Sequence, residues 1–212
     1  MWRALKAELA YFLPWLLGGL GIAAGVGALL IGIIWFVPGA DGTPDFLPEM
    51  FLIIAGMVVS FIAQSYRWEE RRSRLLLSGP LTPRQLAGVV VLLPACLVGL
   101  ASLAALLKFG LFALVTGNFD LANLGFIGAF TGEFLAYAQM GPLVQEATAA
   151  RRQGRGPAAV VGWAVFVGGV LVLAASMLFR NSIQGYLALL MVVVSAMSVA
   201  AWLYEGRTDF TR

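Results

Sequence analysis

Long apolar stretches alternate with short polar segments along the whole chain. A transmembrane α-helix needs about 20 consecutive, mostly apolar residues. Six stretches reach roughly that length: Leu13–Val37, Phe46–Tyr66, Leu86–Lys108, Leu121–Val144, Ala158–Phe179 and Ile183–Tyr204. The first of them is too long for the core of a signal peptide, so it is interpreted as a retained span. The pattern predicts an all-α, polytopic membrane protein, with six transmembrane helices in a single transmembrane domain over residues 1–212.

The first twelve residues follow a different pattern. Trp2, Leu5 and Leu9 recur at helical spacing, with charged residues between them. This spacing is typical of an amphipathic helix that lies in the headgroup layer of a membrane. We therefore predict an interfacial helix over residues 1–12, and we expect Pro14 to break or kink the chain at the entry to the first span.

Composition strengthens the membrane interpretation. The chain is 60% hydrophobic and 12% charged, with a mean hydropathy of +0.89. An average soluble domain is about 45–50% apolar and about 25% charged, so this chain has too little polar surface for a water-soluble globule. The lack of histidine excludes His metal sites and His-based catalytic triads. The single cysteine, Cys96, excludes a disulfide framework within one chain.

The basic residues predict the orientation of the chain in the membrane. With six spans, the two termini and the second and fourth loops share one face, and 12 of the 14 Lys and Arg residues belong to that face. They are Arg3, Lys6, Arg67, Arg71, Arg72, Arg74, Arg84, Arg151, Arg152, Arg155, Arg207 and Arg212. The other face has only Lys108 and Arg180. Because basic loops stay in the cytoplasm, we predict that both termini are cytoplasmic, in the cell membrane (the cytoplasmic or inner membrane) of a prokaryote.

The densest group of charges lies between the second and third apolar stretches, in residues 67–85. It contains Glu69, Glu70, Arg71, Arg72 and Arg74, then a leucine run that includes Leu76, then Gly79, Pro80 and Leu81. A loop that only sets topology needs a few arginines, whereas acidic residues and exposed leucines indicate a docking surface. Thr82 is expected to cap the following helix, with Pro83 in its first position. The segment is thus predicted as helix, break, helix.

Glu133 is the one acidic residue well inside an apolar stretch. A charge at the bilayer centre costs at least about 2.5 kcal/mol on insertion scales, so Glu133 is expected to face a protein interior or a water-filled cavity. Tyr137, four residues on, is placed to hydrogen-bond it. Gly128 and Gly132 lie on nearly the same face, which predicts packing against protein. A structural glutamate and a functional one both remain open.

Glycines and prolines predict further local features. Gly21 and Gly25 form a small-xxx-small pair that allows close helix packing. Pro94 predicts a kink in the third span, which neighbouring helices accommodate. Residues 110–123 either continue the third helix or form a re-entrant piece. Residues 146–157 are predicted as a flexible, basic loop.

Few residues in the sequence could carry chemistry. It has no Walker-type phosphate loop, no metal-ligand cluster, no paired intramembrane aspartates, and no serine or threonine with a base beside it. We therefore predict no catalytic residue, no metal or cofactor bound by the chain, and no nucleic-acid partner. Membrane lipid is the expected surrounding.

The charged segment resembles the corresponding part of ABC-2 type permeases: acidic and basic residues, a leucine run, a Gly-Pro break, a hydroxyl residue and an arginine between spans two and three. The six-span layout, the cytoplasmic termini and the amphipathic N-terminal helix are also similar to that family. The resemblance implies that residues 67–85 form a coupling segment that sits in a cleft of a separate cytoplasmic ATPase. The residues at that contact would be Glu69, Glu70, Arg71, Arg72, Arg74, Leu76, Pro80 and Leu81.

The same resemblance implies the composition of a complex. Two copies of the permease, as a homodimer, would form the membrane pathway of an exporter, and two ATPase subunits would bind ATP and Mg. The chain itself would not be an enzyme. Two other hypotheses stay open at this point: a stand-alone six-span transporter or channel that uses Glu133 for ion coupling, and a membrane scaffold protein whose charged segment recruits a partner.

Overall fold

The chain forms a helical bundle. The computed structural model describes residues 1–35, 47–68, 81–117, 121–176 and 182–207. These ranges contain no strand, and they contain the helices α1 Trp2–Trp35, α2 Leu47–Trp68, α3 Pro83–Thr116, α4 Leu121–Arg152, α5 Gly156–Ser176 and α6 Ile183–Glu205. The all-α prediction is confirmed.

Several of these helices have the length and composition of membrane spans. Within the described ranges, four helical segments are long and apolar enough to cross a bilayer: Trp2–Leu29, Pro83–Val115, Gly156–Ala175 and Ile183–Glu205. α2 contributes a shorter apolar segment, Met50–Ala63. α4 is the least apolar of the helices, because it carries several glycines and buried polar side chains. These are the features of a multi-pass membrane protein.

The helices pack as two groups of three. α1, α2 and α3 contact one another, as do α4, α5 and α6, and the groups meet through α3 with α4, α2 with α4, and α3 with α6. The apolar segment of α3 is 56% buried, whereas those of α1 and α5 are 22% and 28% buried. α3 is therefore central, and α1 and α5 lie at the outside of the bundle.

Contacts between helix ends place both ends of the described chain together. Leu5 of α1 clusters with Ala63 of α2 and Val89 of α3. Leu86, one turn into α3, clusters with Tyr204 near the end of α6. We term this part of the bundle the basic end. The basic residues at this end whose side chains the structure describes are Arg3, Lys6, Arg84, Arg151, Arg152, Arg155 and Arg207.

Local hydrogen bonds define where α3 begins. The Thr82 hydroxyl accepts a hydrogen bond from the Gln85 backbone N–H at 3.3 Å, and the Thr82 N–H donates to Gln85 Oε1 at 3.1 Å. This reciprocal pair is a capping box, and Pro83 occupies the first helical position, where a missing N–H costs nothing. The predicted cap at Thr82 is confirmed.

Two stretches that were predicted as loops or left open are partly helical. α3 continues through the first half of residues 110–123 until Gly117, at φ 72°, ends it in the left-handed conformation. α4 continues to Arg152, so the flexible loop predicted over residues 146–157 is wrong for its first half. The chain then reverses in a short turn in which Gly154 adopts φ 74°.

The start of α1 also differs from expectation. The helix runs without interruption through Pro14, so the predicted break is absent. Residues 2–12 are its first three turns, and the side chains of Leu5 and Phe12 are buried against α2 and α3. The position of these turns in the headgroup layer stays a prediction.

Glycines permit close approach at two helix crossings. A Cβ on Gly56 of α2 would overlap the Ala101 side chain of α3 and lie 3.1 Å from the Leu97 carbonyl oxygen. A Cβ on Gly132 of α4 would lie 3.2 Å from Leu189 of α6. Gly132 thus packs against protein as predicted, whereas Gly128 of the same face is exposed.

The glycines of α1 behave differently. Positions for a Cβ on Gly21 and Gly25 have no atom of the described chain within 4 Å. Within the described residues, no neighbouring helix therefore packs closely against this pair. The neighbouring Gly18 is equally open and lines an apolar groove of about 590 Å³ between the outer sides of α1 and α2.

Candidate functional site

The predicted coupling segment joins two helices at the basic end. Its central candidates lie outside the described residues: Glu69, Glu70, Arg71, Arg72, Arg74, Leu76 and Pro80. The flanking helices are described: α2 ends at Trp68 and α3 begins at Pro83. The two points at which the segment is attached therefore lie at the same end of the bundle as the chain termini.

Leu81 is the candidate coupling residue that the structure describes. Its half-buried side chain packs on a cluster of Leu86, Ala87 and Val90 from α3 and Tyr204 from α6. The end of the segment is thereby attached to two helices at once.

The ends of α4, α5 and α6 are tied together beside this attachment. Arg207 Nη1 donates to both carboxylate oxygens of Glu146, at 3.3 and 3.4 Å, and its guanidinium carbon lies 5.5 Å from the centre of the Tyr204 ring. Arg155 Nη1 donates to the Leu203 carbonyl oxygen at 3.0 Å. We term these five residues the platform.

Burial and favourable charge placement stabilise the contacts within the platform. Glu146 is 6% exposed and Arg207 25% exposed at the side chain, so their attraction is only partly screened by water. Arg155 places a cation at the C-terminus of α6, where the helix dipole is negative. A Cβ on Gly206 would overlap the Arg155 guanidinium, which would then have to shift.

The start of α3 is held to the platform less firmly. Arg84 and Glu205 approach to 4.0 Å, but the Arg84 side chain is 90% exposed. Exposed ion pairs of this kind contribute little to stability. The first turns of α3 therefore rest on the platform mainly through the apolar contacts of Leu86, Ala87 and Val90 with Tyr204.

Two polar contacts cross between the central helices. Thr131 Oγ1 donates to Ser102 Oγ at 3.1 Å. Gln139 Nε2 donates to the Val91 carbonyl oxygen at 3.1 Å, and the Gln139 side chain is fully buried. Val91 lies in the turn before Pro94, where a proline interrupts helical hydrogen bonding. The predicted kink at Pro94 stays a prediction.

The intramembrane polar candidates both lie on α4. Glu133 is 4% exposed, which agrees with the expectation that it faces the protein interior. Tyr137 is half-buried and packs against the core that α4 forms with α5 and α6. A hydrogen bond between these two side chains stays a prediction. Within the described ranges, no group of three or more Cys, Asp or Glu residues is placed to hold a metal ion.

The sequence signals for the platform were weak. Arg155 and Arg207 counted only toward the positive-inside bias, and nothing local linked either to α6 or to Glu146. A scan against protein-family models, a search of curated proteins and a search of solved structures each gave no match. The site that the geometry offers is therefore defined by the residues alone: the basic end, where the charged segment joins α3 beside the platform.

Proposed function

We propose that this chain is the membrane-spanning permease subunit of an ABC exporter. In this proposal all six helices cross the cell membrane of a prokaryote, and the basic end faces the cytoplasm. A separate ATPase subunit, which binds ATP and Mg, contacts residues 67–85. Two copies of the permease form the pathway, and the chain breaks no bonds itself.

The observation that carries this proposal is the capping box at Thr82. It fixes the first turn of α3 directly after the charged segment, so a force on the segment passes to a hydrogen-bonded helix start. α3 contacts α1, α2, α4 and α6. A push at the segment would therefore reach the centre of the bundle without a long flexible linker.

The charge distribution supports the cytoplasmic orientation. The described basic residues other than Lys108 lie at the basic end. Lys108 lies 24 residues after Arg84 in α3, which is about 36 Å along the helix axis. Such a separation is about the thickness of a bilayer with part of its headgroups. The positive-inside rule then puts the basic end in the cytoplasm.

Copurification with the ATPase tests the contact. The triple variant Glu69→Ala, Glu70→Ala, Arg71→Ala should lose the ATPase subunit. A matched triple variant, Asp41→Ala, Asp45→Ala, Lys108→Ala, also removes two acidic residues and one basic residue. The proposed topology puts these three residues on the other face of the membrane, so this variant should retain the ATPase. Equal recovery of the ATPase with both variants would overturn the assignment of residues 67–85.

A second function is favoured by the burial of Glu133. A carboxyl group that is 4% exposed within a membrane bundle is a common element of ion-coupled transport. In that case purified protein in liposomes would carry out gradient-driven flux without any ATPase. The flux would be lost in Glu133→Gln and kept in Glu146→Gln, whose carboxyl lies in the platform.

A further inference from the structure

Each of the two central helices carries a proline close to the hydrogen bond that joins Gln139 to Val91, and the two prolines lie on opposite sides of that bond. The two hydrogen bonds that cross from α4 to α3 define the antiparallel register of these helices. Pro94 lies three residues from Val91 in α3, and Pro142 lies three residues from Gln139 in α4. Both prolines are therefore within one helical turn of the bond between Gln139 and Val91.

The helical hydrogen bonding of α3 is weakest at this level. Pro94 has no N–H, so the Val90 carbonyl oxygen lacks its usual helical donor, and the proline ring crowds the preceding turn. Gln139 Nε2 donates into that turn, at the neighbouring Val91 carbonyl. The contact is a single hydrogen bond between side chain and backbone, made where the helix itself is interrupted.

Within the described residues, only the Nε2 end of the Gln139 side-chain amide makes a hydrogen bond. The side chain is fully buried, and its Oε1 has no hydrogen-bond partner in the described part of the chain. A buried polar group without a partner is costly, so the single bond from Nε2 holds Gln139 less firmly than a fully bonded amide would be held.

The first part of α3 and the platform beside it are held by contacts of different strength. We term residues 83–93 the arm. The arm rests on the platform through apolar contacts and one exposed ion pair. The platform itself is tied by the pair of Glu146 with Arg207 and by the bond from Arg155 to α6. The arm is therefore tied to the platform less firmly than the helix ends of the platform are tied to one another, while Val89 and Leu93 of the arm are buried against α1 and α2.

From these observations we infer that α3 pivots at Pro94, with its arm moving against the platform, and that Gln139 is the positioning residue that holds the arm in the present state. The pivot is a property of this chain alone. Only the source of the force, movement of residues 67–85 by an ATPase, rests on the proposed function.

Spin-label distances on the purified full chain test the pivot. In a Cys96→Ala background, Arg84→Cys in the arm and Arg151→Cys at the end of α4 form the arm pair; both positions are exposed. Leu107→Cys and Leu187→Cys form a control pair on the far side of Pro94, and both are exposed as well. The arm pair should show two distance populations, and the control pair one.

Substitutions at the pivot should change the spin-label distances in the arm pair and leave those in the control pair unchanged. Pro94→Ala restores the missing N–H and should remove the second population. Gln139→Leu should enlarge the second population, and Gln145→Leu, a half-buried glutamine on the same helix, should leave the distances unchanged. The pivot would be overturned if the arm pair showed a single distance population that neither Pro94→Ala nor Gln139→Leu altered. If Gln139→Leu does not fold, the distances in Pro94→Ala alone decide.

Adding the ATPase separates the two proposals. With ATP and vanadate, the arm pair of the complex should shift toward the second population. If that shift is missing while the two substitutions still alter the populations, the pivot stands and the proposed source of the force is wrong.

Discussion

Arg207 and Glu146 are 61 residues apart in the sequence, yet the Arg207 guanidinium donates to both oxygens of the Glu146 carboxylate at 3.3 and 3.4 Å. The pair connects the chain after α6 to the last turns of α4. Tyr204 covers the guanidinium from the side of α6. The contact converts two separate helix ends into one platform beside the start of α3.

Removal of this pair should lower stability. Arg207→Ala is expected to cost about 2 kcal/mol, in the range for hydrogen bonds to charged groups. Thermal unfolding of the purified protein measures the loss as a lower Tm. Arg84→Ala, which removes an exposed pair at 4.0 Å, is the matched control and should leave the Tm unchanged. Equal Tm values for the two variants would show that the platform is not held by this contact.

The capping box predicts a local effect at the start of α3. Thr82→Ala removes the acceptor for the Gln85 N–H and should cost about 1 kcal/mol. Hydrogen exchange in residues 83–88 should speed up, while exchange in the second half of α3 stays the same. Thr82→Ser keeps an acceptor and should retain protection. Unchanged exchange in Thr82→Ala would contradict the assigned cap.

The hydroxyl contact between α3 and α4 predicts a smaller effect. Thr131→Val removes the bond to Ser102 and should destabilise by about 0.6 kcal/mol, the average for interhelical hydrogen bonds in membranes. Thr148→Val is the matched control, because its hydroxyl donates only to Val144 of its own helix. Unfolding by denaturant should give a lower free energy of unfolding for Thr131→Val than for Thr148→Val. Equal values would mean that the interhelical bond does not contribute to stability.

Glycine substitutions separate close crossings from open faces. Gly56→Ala puts a methyl group into Ala101 and should lower the Tm clearly, since overpacking costs about 1–3 kcal/mol. Gly25→Ala enters open space and should leave the Tm unchanged or raise it slightly. If both substitutions are tolerated alike, the helices at Gly56 are not as close as described.

The elements of the fold followed from local signals in the sequence. Apolar length marked the helices, and Thr82 with Pro83 marked the start of α3. Hydropathy alone ended α4 too early, because a helix is limited by its backbone hydrogen bonds and not by the bilayer: α4 extends past its apolar part to Arg152. Pro14 did not break α1, because Phe12 and Leu16, on either side of it, are packed against other helices.

The site was only partly predictable. Residues 67–85 stood out by charge, and Glu133 by its isolation in an apolar stretch. The bond from Gln139 to Val91 joins residues 48 apart, and neither position has a distinctive neighbourhood in the sequence. Likewise, Gly21 and Gly25 match a packing motif, but the motif does not specify which face of α1 meets another helix.

ATP hydrolysis by the complex in lipid nanodiscs tests the central claim most directly. The chain with the native segment should copurify with an ABC ATPase and raise its rate of hydrolysis, whereas the variant with alanine at Glu69, Glu70 and Arg71 should not. The variant with alanine at Asp41, Asp45 and Lys108 should behave as the native chain does. Hydrolysis that is unaffected by the chain, or equally stimulated by both variants, would contradict the proposal that residues 67–85 couple the bundle to an ATPase.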